Sequence, residues 1–152
     1  MLKPVLLVED NPNDLELAMI ALNRSQLANQ VIVMRDGAEA LDYLHRRGGH
    51  ADRPAGNPAV VLLDLKLPKV DGLEVLKEIR AVEALQSLPV VMLTSSKEEQ
   101  DVMRSYELGV NAYVVKPVDF NDFLRAITDL GVFWAVLNEP PPGSQRYLKS
   151  NS

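Results

Sequence analysis

The sequence predicts an α/β doubly wound sheet, a single domain in which parallel strands alternate with helices. Five short apolar runs, Val5–Val8, Val31–Met34, Val60–Leu63, Val90–Leu93 and Ala112–Val115, are separated by segments of helical spacing. Most of the runs are continuous rather than alternating, as strands covered on both faces are. The runs also end in chemically active residues: the first in Glu9-Asp10, the third in Asp64, the fourth in Thr94 and the last in Lys116-Pro117. In such a sheet the C-terminal strand ends share one edge, and ligands bind there.

Each element has its own local signal. After the first strand, Asn11-Pro12 supplies a cap and a first-turn proline, and Leu15, Ala18, Met19 and Leu22 form one stripe of a first helix. Ala40, Leu41 and Leu44 mark the second helix. His45 to Pro58, rich in Gly, Pro, Arg and His, reads as a long surface loop. Asp71-Gly72 starts the third helix, whose stripe is Leu73, Leu76 and Ile79 with Val75 nearby. Ser95 or Ser96, with Glu98 and Glu99, starts a fourth helix with a weaker stripe of Val102, Tyr106 and Leu108. Gly109 closes it in a left-handed conformation. Asp119 caps a fifth helix through Phe123, Leu124 and Ile127, continuing toward Leu130 or Trp134. Residues 138–152, opening Asn-Glu-Pro-Pro-Pro-Gly, read as an extended tail after a domain of residues 1–137.

Composition narrows the class. A chain of 152 residues with 47% apolar and 24% charged residues suits one soluble domain with a proper core. A formal charge of −5 argues against nucleic acid or an anionic membrane as the main partner, since both favour a basic face. Cysteine is absent, which excludes disulfides and thiol catalysis. No signal peptide or membrane span is visible, so a cytoplasmic location is expected.

The strand tips carry the chemistry. Three carboxylates, one hydroxyl and one ammonium would converge on a small site. Crowded carboxylates raise one another's pKa unless a cation joins them. The set therefore asks for a hard divalent cation and an anion bound through it. Taken singly, Glu9 and Asp10 are acids suited to capping a helix, and Thr94 is a strand-end cap. Tyr113 reads either as core filler with a satisfied hydroxyl or as a moving part. His45 and His50 lack a matched ligand set and read as surface residues.

The ordered pieces Leu7-Val8-Glu9-Asp10, Leu62-Leu63-Asp64-Leu65-Lys66-Leu67-Pro68, Asp71-Gly72-Leu73-Glu74, Leu93-Thr94-Ser95-Ser96 and Lys116-Pro117 resemble the receiver domain of two-component response regulators. The resemblance runs from about Leu2 to about Trp134. The Glu-Asp-Asn-Pro opening, the long loop before Pro58 and the Leu-Asn-Glu-Pro-Pro-Pro tail look like the single-domain regulators paired with bacterial phytochrome kinases. The resemblance implies a flavodoxin-like five-stranded sheet in the order 2-1-3-4-5 with five helices. It implies that a sensor histidine kinase phosphorylates Asp64, and that Glu9, Asp10, Asp64 and the Lys66 backbone carbonyl hold Mg2+. It implies that Thr94 hydrogen-bonds the phosphoryl group, that Lys116 pairs with it across a cis bond to Pro117, and that Thr94 and Tyr113 form a switch. Phytochrome-type relatives are dimers, which makes Phe133 and Trp134 candidate dimer contacts. Such a protein is a signalling switch rather than an enzyme with turnover, catalysing only its own phosphorylation and dephosphorylation. An aspartyl-nucleophile phosphohydrolase is the rival reading, but its second acid would fall at Lys66. A degenerate receiver and a flavodoxin-like cofactor binder are disfavoured by the intact set and by the lack of a Ser/Thr-rich loop after the first strand.

Overall fold

The computed structural model describes residues 3–24, 31–116, 121 and 125. The strands are β1 (Val5–Val8), β2 (Val31–Met34), β3 (Val60–Leu63), β4 (Val90–Thr94) and β5 (Ala112–Val115). They form one parallel sheet in the order β2-β1-β3-β4-β5. The helices are α1 (Pro12–Arg24), α2 (Gly37–His45), α3 (Gly72–Ala81) and α4 (Glu99–Glu107), with short 3-10 turns at Gly48–His50 and Glu83–Leu85. Of the expected fifth helix only Asn121 and Arg125 are described, and both are helical. Pro117, Phe133, Trp134 and the tail lie outside the described residues.

Strand alternation divides the core. Leu6, Val8, Val61, Leu63, Val90 and Met92 pack on one side with the buried faces of α2 and α3. Val5, Leu7, Val60, Leu62, Val91, Leu93 and Val114 pack on the other with Ala18 and Leu22 of α1. Because side chains alternate every residue along a strand, the residues just past β1, β3 and β5, namely Glu9, Asp64 and Lys116, continue the face that packs against α1. Thr94 and Tyr113 belong to the opposite face by the same count.

Caps explain the helix starts. Asn11 Oδ1 accepts from the amides of Asn13 and Asp14 at 2.9 and 3.0 Å. Asp36 accepts from the Glu39 amide at 2.7 Å, and Asp71 from the Glu74 amide at 3.0 Å. At the other end of α4, Gly109 adopts φ +97°. Its amide donates to Tyr106 O, and that of Val110 to Ser105 O, which is a Schellman closure.

Two stretches differ from the sequence expectation. In α4 the buried residue is Ser105, whose hydroxyl donates to Asp101 O at 2.8 Å, while Tyr106 is exposed. A polar helix that lies over the sheet edge needs only a narrow inner face, so its apolar spacing misleads. Neither Ser95 nor Ser96 is the cap residue of α4: Glu98 holds that position, and the Ser96 hydroxyl donates to Asp101 Oδ2 at 2.6 Å. The loop from His45 to Pro58 is ordered by Arg53. Its guanidinium stacks 4.2 Å from the Tyr43 ring centroid and donates to the carbonyls of Tyr43, Leu44, Pro54 and Gly56.

At the edge opposite the strand tips, Arg80 of α3 donates to Gly109 O at 2.9 Å, Leu88 O at 2.7 Å and Asn111 Oδ1 at 2.8 Å. Asn111 Oδ1 also accepts from the Val90 amide at 2.8 Å, which ties α3, the end of α4 and the start of β4 together.

Gly72 sits where α3 meets the backbone leaving β3. A Cβ there would stand 2.1 Å from Asp64 O and 2.9 Å from Leu65 Cα. Gly72→Ala must therefore push α3 away from the loop after Asp64. We expect it to cost about 1–3 kcal/mol, the usual range for overpacking, measured by urea unfolding.

Candidate functional site

The pairing register builds the site. Val8 pairs with Leu63, so Glu9 and Asp64 emerge side by side, and the Asp64 amide donates to Val8 O at 3.1 Å. Thr94 pairs with Val115, and the Lys116 amide donates to Thr94 O at 2.8 Å, which brings Lys116 to the same edge. Its ammonium donates to Glu9 Oε1, to Asp64 Oδ2 at 3.2 Å and to Asp14 Oδ2 at 3.1 Å. Glu9, Asp64 and Thr94 are buried, and Asp10 is exposed at the mouth. Glu9, Asp10 and Asp64 each offer a carboxylate oxygen within 4.8 Å of the others.

Charge crowding sets the titration. Burial pushes the Glu9 carboxyl up to about 7; the Lys116 ammonium pulls it back, and neighbouring Asp64 raises it further. Burial works against the charged form of Lys116, but Glu9, Asp64 and Asp14 outweigh it and raise its pKa. One ammonium among three contacting carboxylates leaves excess negative charge, and the most enclosed carboxyl carries the penalty. An oxygen-rich, negatively charged set of this size suits a small hard cation completed by water.

Thr94 and Tyr113 meet through Ser96. Thr94 Oγ1 accepts from the Ser96 amide at 3.2 Å, and the Tyr113 hydroxyl donates to Ser96 O at 3.0 Å. Burial raises the Tyr113 pKa, and the Ser96 carbonyl moderates the rise. The Lys66 side chain is exposed, and its amide approaches Asp64 Oδ1 at 3.5 Å. His50 stays away from the cluster, with its ring edge-on to Tyr43 and Nε2 at 3.7 Å from Glu39 Oε1.

The cluster thus unites Glu9, Asp10, Asp64 and Lys116, with Thr94 at the adjoining strand end. Asp14 was not legible as a member. In sequence it is one more acid in a helix's first turn; only its place one turn after the cap, on the helix covering Lys116, marks it.

The raised Glu9 carboxyl has a signed consequence. A folded-state pKa above the unfolded one favours folding at low pH and loses that contribution as pH rises through about 7. In chelator, Glu9→Gln is expected to remove a stability loss between pH 4.5 and 7, with a slope of at most about 1.4 kcal/mol per pH unit. Urea titrations of both proteins across that range measure it.

Comparison with known proteins agrees with this geometry. Residues 5–128 match the response regulator receiver domain. The solved structure of the bacteriophytochrome response regulator RtBRR is similar at 67% identity and a TM-score of 0.83, over 99% of this chain and 91% of that one. Response regulator Rcp1 of Synechocystis sp. is 41% identical over 132 residues, 87% of this chain and 88% of that protein. Its Mn2+-bound form superposes with a TM-score of 0.72 at 39% identity, over 93% of this chain and 99% of that one. The phosphorylated cyanobacterial phytochrome response regulator RcpA is 40% identical with a TM-score of 0.73, over 88% of this chain and 94% of that one. Fold, strand-tip chemistry and these relatives lead to one assignment: the chain belongs to the response regulator receiver domain family.

Proposed function

We propose that this receiver takes a phosphoryl group onto Asp64 from a sensor histidine kinase, in a Mg2+-dependent reaction. The observation that carries the reading is the Lys116 ammonium, held by Glu9 and Asp64 beside the Glu9-Asp10-Asp64 oxygen set. Similarity to phytochrome response regulators supports a phytochrome kinase as donor, and the proposal places the pair in the cytoplasm.

Each residue has a task in this reading. An Asp64 Oδ attacks the phosphorus of the kinase phosphohistidine; the P–N bond breaks, and its electron pair returns to the imidazole. Glu9, Asp10, Asp64 and the Lys66 carbonyl would hold Mg2+, which when bound neutralises charge on the phosphoryl oxygens. The Mn2+-bound form of Rcp1 supports that assignment. Lys116 pairs with the phosphoryl group. Attack of water on phosphorus later restores the Asp64 carboxylate and releases phosphate. No turnover of an outside substrate is involved.

Thr94 completes the switch. Its hydroxyl turns from the Ser96 amide to the new phosphoryl oxygens, and the Ser96–Tyr113 hydrogen bond feels the change. Output passes through protein contacts of the domain, residues 1–137, rather than through nucleic acid. A homodimer is proposed with Phe133 and Trp134, which lie outside the described residues, as its contacts; on α4, Met103 and Tyr106 are exposed.

Two experiments test this. Incubation with acetyl phosphate and Mg2+ should add the mass of one phosphoryl group to the wild type and none to Asp64→Asn, read by intact mass; label on the variant overturns the assignment. Trp134→Ala should sediment with a larger monomer fraction than wild type, and an unchanged dimer removes that residue from the interface.

A further inference from the structure

Asp14 is the member of the cluster that the reaction as described leaves unused. It stands in the first turn of α1, its amide held by Asn11 Oδ1 at 3.0 Å, so its backbone is fixed. Its Oδ2 lies 3.1 Å from Lys116 Nζ. Its side chain is 37% exposed, against 3% for Glu9 and 11% for Asp64, so it forms the solvent-facing side of the ammonium's cage. Three carboxylates, Glu9, Asp14 and Asp64, contact one ammonium, and a fourth, Asp10, stands beside Glu9 and Asp64. The formal excess is three negative charges. A divalent cation would leave one, and removing Asp14 would cancel it.

The geometry points to Asp14 as a positioning residue that competes with an incoming phosphoryl group for Lys116 and so disfavours small anionic phosphodonors. This rests on the reading of Asp64 as phosphoacceptor. A small donor brings its own negative charge and little else, so it must draw the ammonium away from Asp14 unaided and enter a site that remains negative. A docked kinase spreads that cost over a protein interface. Asp14 therefore acts as a filter on donor class. It makes no bond to the phosphoryl group; it sets where Lys116 waits and how strongly it is held.

The test uses the full chain with saturating Mg2+ and two donors: acetyl phosphate, a dianion near neutral pH, and phosphoramidate, a monoanion. In the first, the P–O bond breaks and acetate leaves; in the second, the P–N bond breaks and ammonia leaves. Asp14→Asn is expected to raise the second-order rate with acetyl phosphate about fivefold at low salt, the effect of one unit charge on a dianion about 8 Å away in water. The gain should be smaller with phosphoramidate and should shrink as ionic strength rises. Asp14→Glu, which keeps the charge, should behave as wild type. A merely structural change would alter both donors alike and ignore salt. Equal gains for the two donors, a salt-independent gain, no gain, or an Asp14→Glu protein that matches Asp14→Asn would each overturn the inference. Failure of the wild type itself to label at Asp64 would instead overturn the phosphoacceptor reading, so the two failures are distinct.

Discussion

The constraint from which the site follows is the parallel register of β1 and β3. Val8 opposite Leu63 leaves no choice about their successors: two carboxylates, Glu9 and Asp64, must leave the sheet next to each other on the same face. Two buried acids so placed are unfavourable without a cation. Lys116 meets that need because β5 feeds it onto the same face, and its ammonium touches both. The sheet is thus organised around a charge problem that its own topology creates, and the chemistry of the site is the way that problem is met.

Much of this was legible in the sequence because strands buried on both faces are hard to disguise. Val5–Val8, Val31–Met34, Val60–Leu63 and Ala112–Val115 stand as the apolar runs mark them, and β4 gains only Thr94. The acids and the lysine were legible because polar groups at the end of such runs have few structural reasons to be there. The misses share a cause. Tyr106, expected on the inner stripe, is exposed and Ser105 is buried instead because α4 is polar and shallowly packed, so spacing carries little information. Asp14 acts across a long sequence separation on Lys116, and Arg53 folds its own loop back onto Tyr43, a role that no residue pattern in the loop announces.

Thr94 and Tyr113 belong by strand parity to the face opposite Glu9, Asp64 and Lys116. Ser96 is the atom-level link between them, with its amide given to Thr94 and its carbonyl taken by Tyr113. Two side chains on that face are thus joined at the strand tips through one residue rather than by direct contact.

The Arg80 cluster anchors one end of α4. By fastening Gly109 and Asn111 to α3, it pins the trailing end of α4, while the leading end hangs from Ser96 and Asp101. The helix is thus tethered at both tips by polar groups, a guanidinium at the heel and a hydroxyl–carboxylate pair at the front, while its flank presents Met103 and Tyr106 to solvent.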